Sequence, residues 1–117
     1  MTLDCEAMTE LKIEETRINV DGDWWELSRK MIAAVRVADR VFVIFDYLDF
    51  RRGRPAPNLW AYNLQQTELW KAENPTSSPI DAYSKFESGD PLVVTNLAGY
   101  VCTIEPETGE IITTERS

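Results

Sequence analysis

Asp46 and Asp49 are an example of paired carboxylates in this chain that could carry out acid–base chemistry. They stand three positions apart, just after the apolar run VFVIF. Paired carboxylates can act as a general acid and a general base. Aspartates at the end of a strand are more often turn formers, because their side chains accept hydrogen bonds from nearby backbone amides. The turn-forming role is the simpler interpretation of this pair.

The other reactive residue types form no catalytic pattern. The chain contains no histidine, which removes the commonest general base and most zinc sites. Its two cysteines, Cys5 and Cys102, lack the short spacing of metal ligands, and no glycine-rich loop could cradle a phosphate. We therefore expect no enzyme activity, no cofactor and no metal. The thiols are expected to be free in a cytoplasmic protein, with a Cys5–Cys102 disulfide as the alternative for an exported one.

The segment LDFRRGRPAPN, residues 48–58, is the strongest candidate for function. It sets three arginines beside a phenylalanine in a chain whose net charge is −8. Long ordered loops often carry function, and arginine next to an exposed aromatic ring is typical of protein interfaces. The alternative is a solvated loop whose arginines lie against acidic neighbours. The predicted partner-binding residues are Asp46, Asp49, Phe50, Arg51, Arg52, Arg54 and Trp60.

Short antiparallel β-strands must position these residues. All five glycines and all six prolines lie between apolar runs rich in β-branched and aromatic residues, and both residue types interrupt strands. This pattern predicts an all-β meander of eight or nine strands in two packed sheets, as a sandwich or a flattened barrel. Residues 1–9 are expected to be a tail or short helix, and 10–117 a single domain. The predicted strands are 12–20, 31–38, 40–47, 58–63, 68–73, 82–87, 92–97, 99–104 and 110–115.

One segment allows a helix instead of a strand. In DWWELSRKMIAAV, Asp23 could cap a helix with Glu26 at its third position. The β-branched residues that follow favour a strand from about residue 31. The sequence therefore allows at most a short helical turn near 24–29.

The stretch NLWAYNLQQTELWKAE, residues 58–73, concentrates two tryptophans and a tyrosine. On a strand, Trp60 and Tyr62 share one face while Leu59 and Ala61 share the other. Apolar groups on both faces predict a central strand that is covered on both sides. The aromatic side chains are thus expected to fill the core, and the alternative is that one of them tops an exposed patch for a partner.

Residues 59–73 and 100–115 form a weak internal repeat. Each is a strand, a polar turn and a strand that closes on glutamate, and each follows an apolar strand. With NLWAYNLQQTELW and GYVCTIEPETGEI, the unit resembles a blade of the PQQ- or WD40-type β-propellers. The chain also resembles a set of small, uncharacterised bacterial all-β proteins with the same order of motifs. For such stand-alone proteins the resemblance suggests an immunity or inhibitor role.

The net charge of −8 favours some classes of binding partner over others. Acidic ends would repel nucleic acid and attract a basic protein. No apolar run is long enough to span a membrane, and the amino terminus lacks a signal peptide, so a cytoplasmic location is expected. We expect a protein-binding module, with an immunity protein that neutralises a basic partner as its most concrete form. The alternatives are a homo-oligomer that assembles blade-like edges, and a binder of a small ligand between the sheets among Trp60, Tyr62 and Trp70.

Overall fold

Glycine and proline divide the chain into short strands that all pair antiparallel. The computed structural model describes residues 9–50 and 52–116, in which the all-β meander is confirmed. A 3₁₀ turn at Tyr47–Asp49 interrupts the strands. The strands are β1 (Thr9–Glu10), β2 (Lys12–Glu14), β3 (Arg17–Val20), β4 (Asp23–Glu26), β5 (Met31–Val37), β6 (Arg40–Phe45), β7 (Leu59–Asn63), β8 (Glu68–Lys71), β9 (Tyr83–Gly89), β10 (Leu92–Asn96), β11 (Tyr100–Ile104) and β12 (Ile111–Arg116).

The strands form three sheets rather than two. The central sheet has the order β1-β5-β6-β7-β8, the four-stranded sheet β12-β11-β10-β9, and the N-terminal sheet β2-β3-β4. The predicted tail at 1–9 lies outside the described residues except for Thr9, which opens β1 and pairs with Arg36. The described residues contain twelve strands, because the chain before β5 forms four: β1 joins the central sheet, and β2–β4 build a sheet of their own.

The predicted strand at 12–20 is wrong, because it is a hairpin. Glu14 of β2 pairs with Arg17 of β3, and Glu15 turns the chain with a φ of 57°. Residues other than glycine seldom adopt this left-handed conformation. The segment contains no glycine or proline, and local sequence patterns therefore do not indicate the turn.

The helical turn that the sequence allows near 24–29 is also not formed, since β4 occupies residues 23–26. Trp25 pairs with Ile18 of β3 and is buried, whereas Trp24 points to the outer face, where the Arg17 guanidinium lies 4.8 Å from the centre of its ring. A helix would place the two adjacent tryptophans about 100° apart around its axis, whereas the strand sends one to the core and the other to the surface. This burial outweighs the capping pattern.

Strand β6, which carries the apolar run VFVIF, is covered on both faces. Val41, Val43 and Phe45 pack in one cluster with the N-terminal sheet. Phe42 and Ile44 pack in a second cluster with the four-stranded sheet. Alternate side chains of a strand point to opposite faces, so β6 is central and dry on both sides.

The aromatic side chains of residues 58–73 belong to the core. Trp60, Tyr62 and Trp70 are only 8%, 6% and 8% exposed. Trp60 and Tyr62 lie in the cluster under the N-terminal sheet, and Trp70 lies in the cluster on the opposite face. The indole N–H groups donate to the carbonyl oxygens of Pro57 and Pro106, at 2.6 and 2.9 Å. The core interpretation is therefore confirmed.

The two predicted repeats are two consecutive meanders of four strands, β5–β8 and β9–β12. They share one apolar cluster. Asn58 joins them as well, because its amide nitrogen donates to the carbonyl oxygens of Phe45 and Tyr83 and its oxygen accepts from the Tyr83 N–H, all at 2.9 Å. The chain closes no ring by itself, and its two units pack against each other.

We expect the fold to lose stability in alkali because of Tyr62. Burial, together with the Glu68 carboxylate across the β7–β8 pair, raises the pKa of Tyr62 to about 12 from its ordinary value near 10. The unfolded chain therefore ionises first, so the stabilisation is complete below about pH 10 and is lost as the pH rises towards 12. Burial also raises the pKa of Tyr83. In Tyr62→Phe, the decrease in the free energy of unfolding at high pH should be smaller by roughly 2 kcal/mol.

Chemical denaturation between about pH 8 and pH 12 at constant ionic strength measures this dependence. Tyr47→Phe is the matched control, because Tyr47 is exposed and its replacement should leave the curve unchanged. An identical pH dependence in Tyr62→Phe and in the unsubstituted chain would contradict the expectation.

Candidate functional site

The connection between β6 and β7 lies at one end of the strands of the central sheet. It forms one wall of a surface cavity of about 280 Å³. Residues 79–81, which precede β9, form the other wall. We call this cavity the loop groove. It is lined by Tyr47, Leu48, Phe50, Arg52, Gly53, Arg54, Ala56, Pro79, Ile80 and Asp81.

Asp46 and Asp49 fix the first wall. The Asp46 carboxylate accepts from the N–H of Leu48 at 2.9 Å and so caps the 3₁₀ turn. The Asp49 carboxylate accepts from the N–H of Lys30 at 3.1 Å, which ties the loop to the segment before β5. Both predicted carboxylates thus bind backbone amides, as turn-forming aspartates do.

Arg29 supports the same wall from beneath, and no pattern in the sequence singles it out. Its guanidinium lies 4.4 Å from the centre of the Phe50 ring, and its Nη1 donates to the Asp49 carbonyl at 2.8 Å. Phe50 in turn packs against the cluster under the N-terminal sheet. Phe50 is therefore half-buried and forms part of the floor of the groove rather than its tip.

Asp81 fixes the second wall. None of the residues of this wall is among the partner-binding residues predicted from the sequence. Asp81 is 1% exposed. Its carboxylate accepts from the N–H and hydroxyl of Thr76 and from the side-chain amide of Asn96, at 2.8, 2.5 and 2.9 Å. Its carbonyl accepts from the Ala56 N–H at 2.8 Å, which connects the two walls. The residue pair Thr76 and Asp81, within the polar stretch PTSSPID, is the sequence signal that could have indicated this turn.

The lip of the groove is apolar and exposed. Leu48 on one wall is 67% exposed and Ile80 on the other is 72% exposed. Tyr47 lies beside Leu48 and is exposed as well. Exposed apolar groups that gather at one concave place mark interaction sites more reliably than isolated ones do.

The groove also carries two exposed guanidinium groups. Arg52 and Arg54 line it and are exposed. Neither has an ion pair with another residue in the part of the chain that the structure describes. The predicted contact residue Arg51 lies outside the described residues.

Trp60 does not take part in the groove. It is buried in β7, and Lys71 places its ammonium group 4.4 Å from the centre of the Trp60 ring. Of the predicted residues, the structure therefore brings Phe50, Arg52 and Arg54 together in the groove, with Asp46 and Asp49 as its supports.

Two further observations concern chemistry elsewhere in the chain. Within residues 9–50 and 52–116, no group of three or more histidine, cysteine, aspartate or glutamate side chains could hold a metal ion. Cys102 is buried, and this burial raises the pKa of its thiol. Cys5 lies outside the described residues.

None of the described helical structure is long and apolar enough to cross a membrane.

Comparison with curated proteins and with solved structures gives no match to this chain. Residues 8–116 match a protein family model, and this match spans all of the strands described above. The chain therefore belongs to the family described as Domain of unknown function (DUF7957).

Proposed function

We propose that this chain is a non-enzymatic protein-binding module and that its contact surface is the loop groove. The observation that carries the proposal is the exposure of Leu48 and Ile80 on facing walls of one apolar cavity. Large apolar side chains at the centre of an interface, with arginine nearby, supply much of the energy of protein association.

The rigidity of the walls supports the proposal. Asp46, Asp49 and Asp81 each hold a backbone amide, and the Ala56–Asp81 hydrogen bond joins the walls. A surface held in its binding conformation loses less entropy on association than a mobile loop does. The same hydrogen bonds occupy the carboxylates, which leaves the groove suited to contact rather than to proton transfer.

The most concrete form of the proposal is an immunity or inhibitor protein that neutralises a basic partner. The net charge of −8 supports this form, because an acidic protein attracts a basic one over a distance and accelerates their encounter. Association should then slow as salt is added. An association rate that does not change with salt would remove the electrostatic part and leave the groove.

Self-association is the second candidate, favoured by the edge of the four-stranded sheet. β12 is the outer strand, and its Ile112 is 57% exposed. Unpaired edge strands can pair between chains. Light scattering that shows the same monomer mass at all concentrations would exclude this candidate.

A small ligand between the sheets has less support. Trp60 and Tyr62 lie on one face of the central sheet and Trp70 on the other. The three rings that the sequence suggests as a ligand site therefore cannot enclose one molecule.

Leu48→Asp and Ile80→Asp should each weaken partner binding by at least roughly tenfold, since a charge placed in the apolar centre of an interface must be desolvated. Affinity capture from the native lysate, with quantitative mass spectrometry, measures the effect on every captured protein. Both side chains are exposed, so the variants should unfold at the same temperature as the unsubstituted chain.

Ile112→Asp is the matched control, because it places the same charge on a similarly exposed isoleucine outside the groove. If a partner is lost with Ile112→Asp and kept with Leu48→Asp and Ile80→Asp, the contact surface is the β12 edge and the groove proposal fails.

A further inference from the structure

We infer that the loop groove binds an acidic segment of its partner, in which a large apolar side chain is flanked by aspartate or glutamate. This inference rests on the proposed function and specifies the chemistry of the docked segment. It departs from the expectation drawn from net charge alone, under which every contact surface of this chain would seek a basic group.

Every described arginine other than Arg52 and Arg54 has a partner within the chain. Arg17, Arg36 and Arg40 are paired with the carboxylates of Glu14, Asp21 and Glu107. Arg29 and Arg116 have no ion pair, but each donates a hydrogen bond and lies against an aromatic ring. The chain has 20 acidic residues for 12 basic ones, so carboxylates are in excess. Arg52 and Arg54 nevertheless have no ion pair among the described residues. Their guanidinium groups remain available for an external acid.

The carboxylates around the groove already have partners within the chain. Asp46 and Asp49 accept from the backbone N–H groups of Leu48 and Lys30. Asp81 is buried, and its carboxylate oxygens accept three hydrogen bonds. Asp49, although exposed, is tied to the segment before β5, whereas Arg52 and Arg54 are exposed and have no ion pair among the described residues. A cationic segment would therefore meet the like charge of Arg52 and Arg54 in the groove, beside carboxylates that already hold backbone amides.

Apolar and cationic groups meet in this one cavity. Leu48 and Ile80 offer an apolar contact, and Arg52 and Arg54 line the same cavity. A planar guanidinium binds a carboxylate through two parallel hydrogen bonds. A segment with an apolar anchor and adjacent carboxylates would satisfy both parts of the groove at once.

Selection of displayed random peptides, each about 12 residues long, on the full 117-residue chain tests the inference. We expect the enriched peptides to combine one large apolar residue with two or more acidic residues. Binding of a synthetic representative should fall at least roughly tenfold in Leu48→Asp, and by a similar factor in the double variant Arg52→Glu/Arg54→Glu.

The matched control is Lys12→Glu/Lys85→Glu, which changes the net charge of the chain equally. Both lysines are exposed, on β2 and β9, and neither lines the groove. This control should leave peptide binding within about twofold, because exposed charges beyond a Debye length are screened at physiological salt.

The three ways in which this experiment can fail are distinguishable. Enriched peptides that are neutral or basic but sensitive to Leu48→Asp would overturn the inference and leave the proposed function intact. Equal losses in the two double variants would show that net charge, and not the groove arginines, attracts the acid, which also overturns it. If no enriched peptide is sensitive to Leu48→Asp, the groove is not a binding surface and both proposals fall.

Discussion

Gly109→Ala should lower the free energy of unfolding by roughly 3–5 kcal/mol, which would be among the largest effects of any single methyl group added to this chain. A Cβ at Gly109 would lie 2.5 Å from Cε3 and 2.8 Å from Cδ2 of Trp70. The residue also has a φ of +82°, which disfavours any L side chain. Steric overlap and backbone strain therefore add.

Trp70 has little freedom to move away from the new methyl group. Its indole nitrogen donates to the Pro106 carbonyl at 2.9 Å, and its ring centre lies 5.8 Å from that of Phe42. Displacing it would disturb the cluster between the central and four-stranded sheets. Urea denaturation followed by tryptophan fluorescence gives the stability directly.

Gly22→Ala separates the two causes. Gly22 has a φ of +89°, but no atom beyond its chain neighbours lies within 4 Å of the position that a Cβ would take there. Backbone strain alone should cost about 1 kcal/mol at this residue. Equal losses in both glycine variants would mean that the contact with Trp70 contributes nothing.

Asn58→Ala should cost roughly 3–5 kcal/mol, because it leaves three buried backbone groups without a partner. These groups are the carbonyls of Phe45 and Tyr83 and the N–H of Tyr83. Asn58 is itself fully buried, so no solvent replaces the lost hydrogen bonds. The substitution would also remove a direct connection between the two meanders.

Asn19→Ala is the matched control for this prediction. The Asn19 side chain accepts one hydrogen bond, from the Gly22 N–H at 3.1 Å in a surface turn. Its loss should cost only about 0.5–1 kcal/mol, since water can take its place. Thermal unfolding of both variants compares them, and an Asn58→Ala loss as small as that of Asn19→Ala would refute the bridging role.

The parts of the fold that follow from local chemistry could be predicted from the sequence. The segment PETG, residues 106–109, ends on a glycine where a hairpin turn needs a left-handed residue, and Gly109 has that conformation. VFVIF indicates a strand with two apolar faces, and β6 has both of them covered. In each case the residues that determine the structure are neighbours in the chain.

The parts that depend on distant contacts could not be predicted. The turn at Glu15 has no glycine, and its conformation is fixed by pairing between β2 and β3. The polar bridge at Asn58 exists only because β6 and β9 approach each other. A buried asparagine in the sequence looks like any other turn residue.

The candidate site divides in the same way. The length and composition of residues 48–58 point to Phe50, Arg52 and Arg54, which do line the groove. The opposite wall belongs to a segment that follows β8, and it exposes Ile80 only because Asp81 anchors the turn. Local patterns in the sequence identify one wall and contain no means of identifying the other.

Because β6 is covered on both faces, it restricts the substitutions that the chain can accept there. A substitution on β6 must be compatible with the packing on its own face without shifting the strand against the cluster on the opposite face. The connections at the sheet ends escape that double constraint, and the groove is built from two of them. We therefore expect substitutions to be tolerated more readily at the groove than on β6.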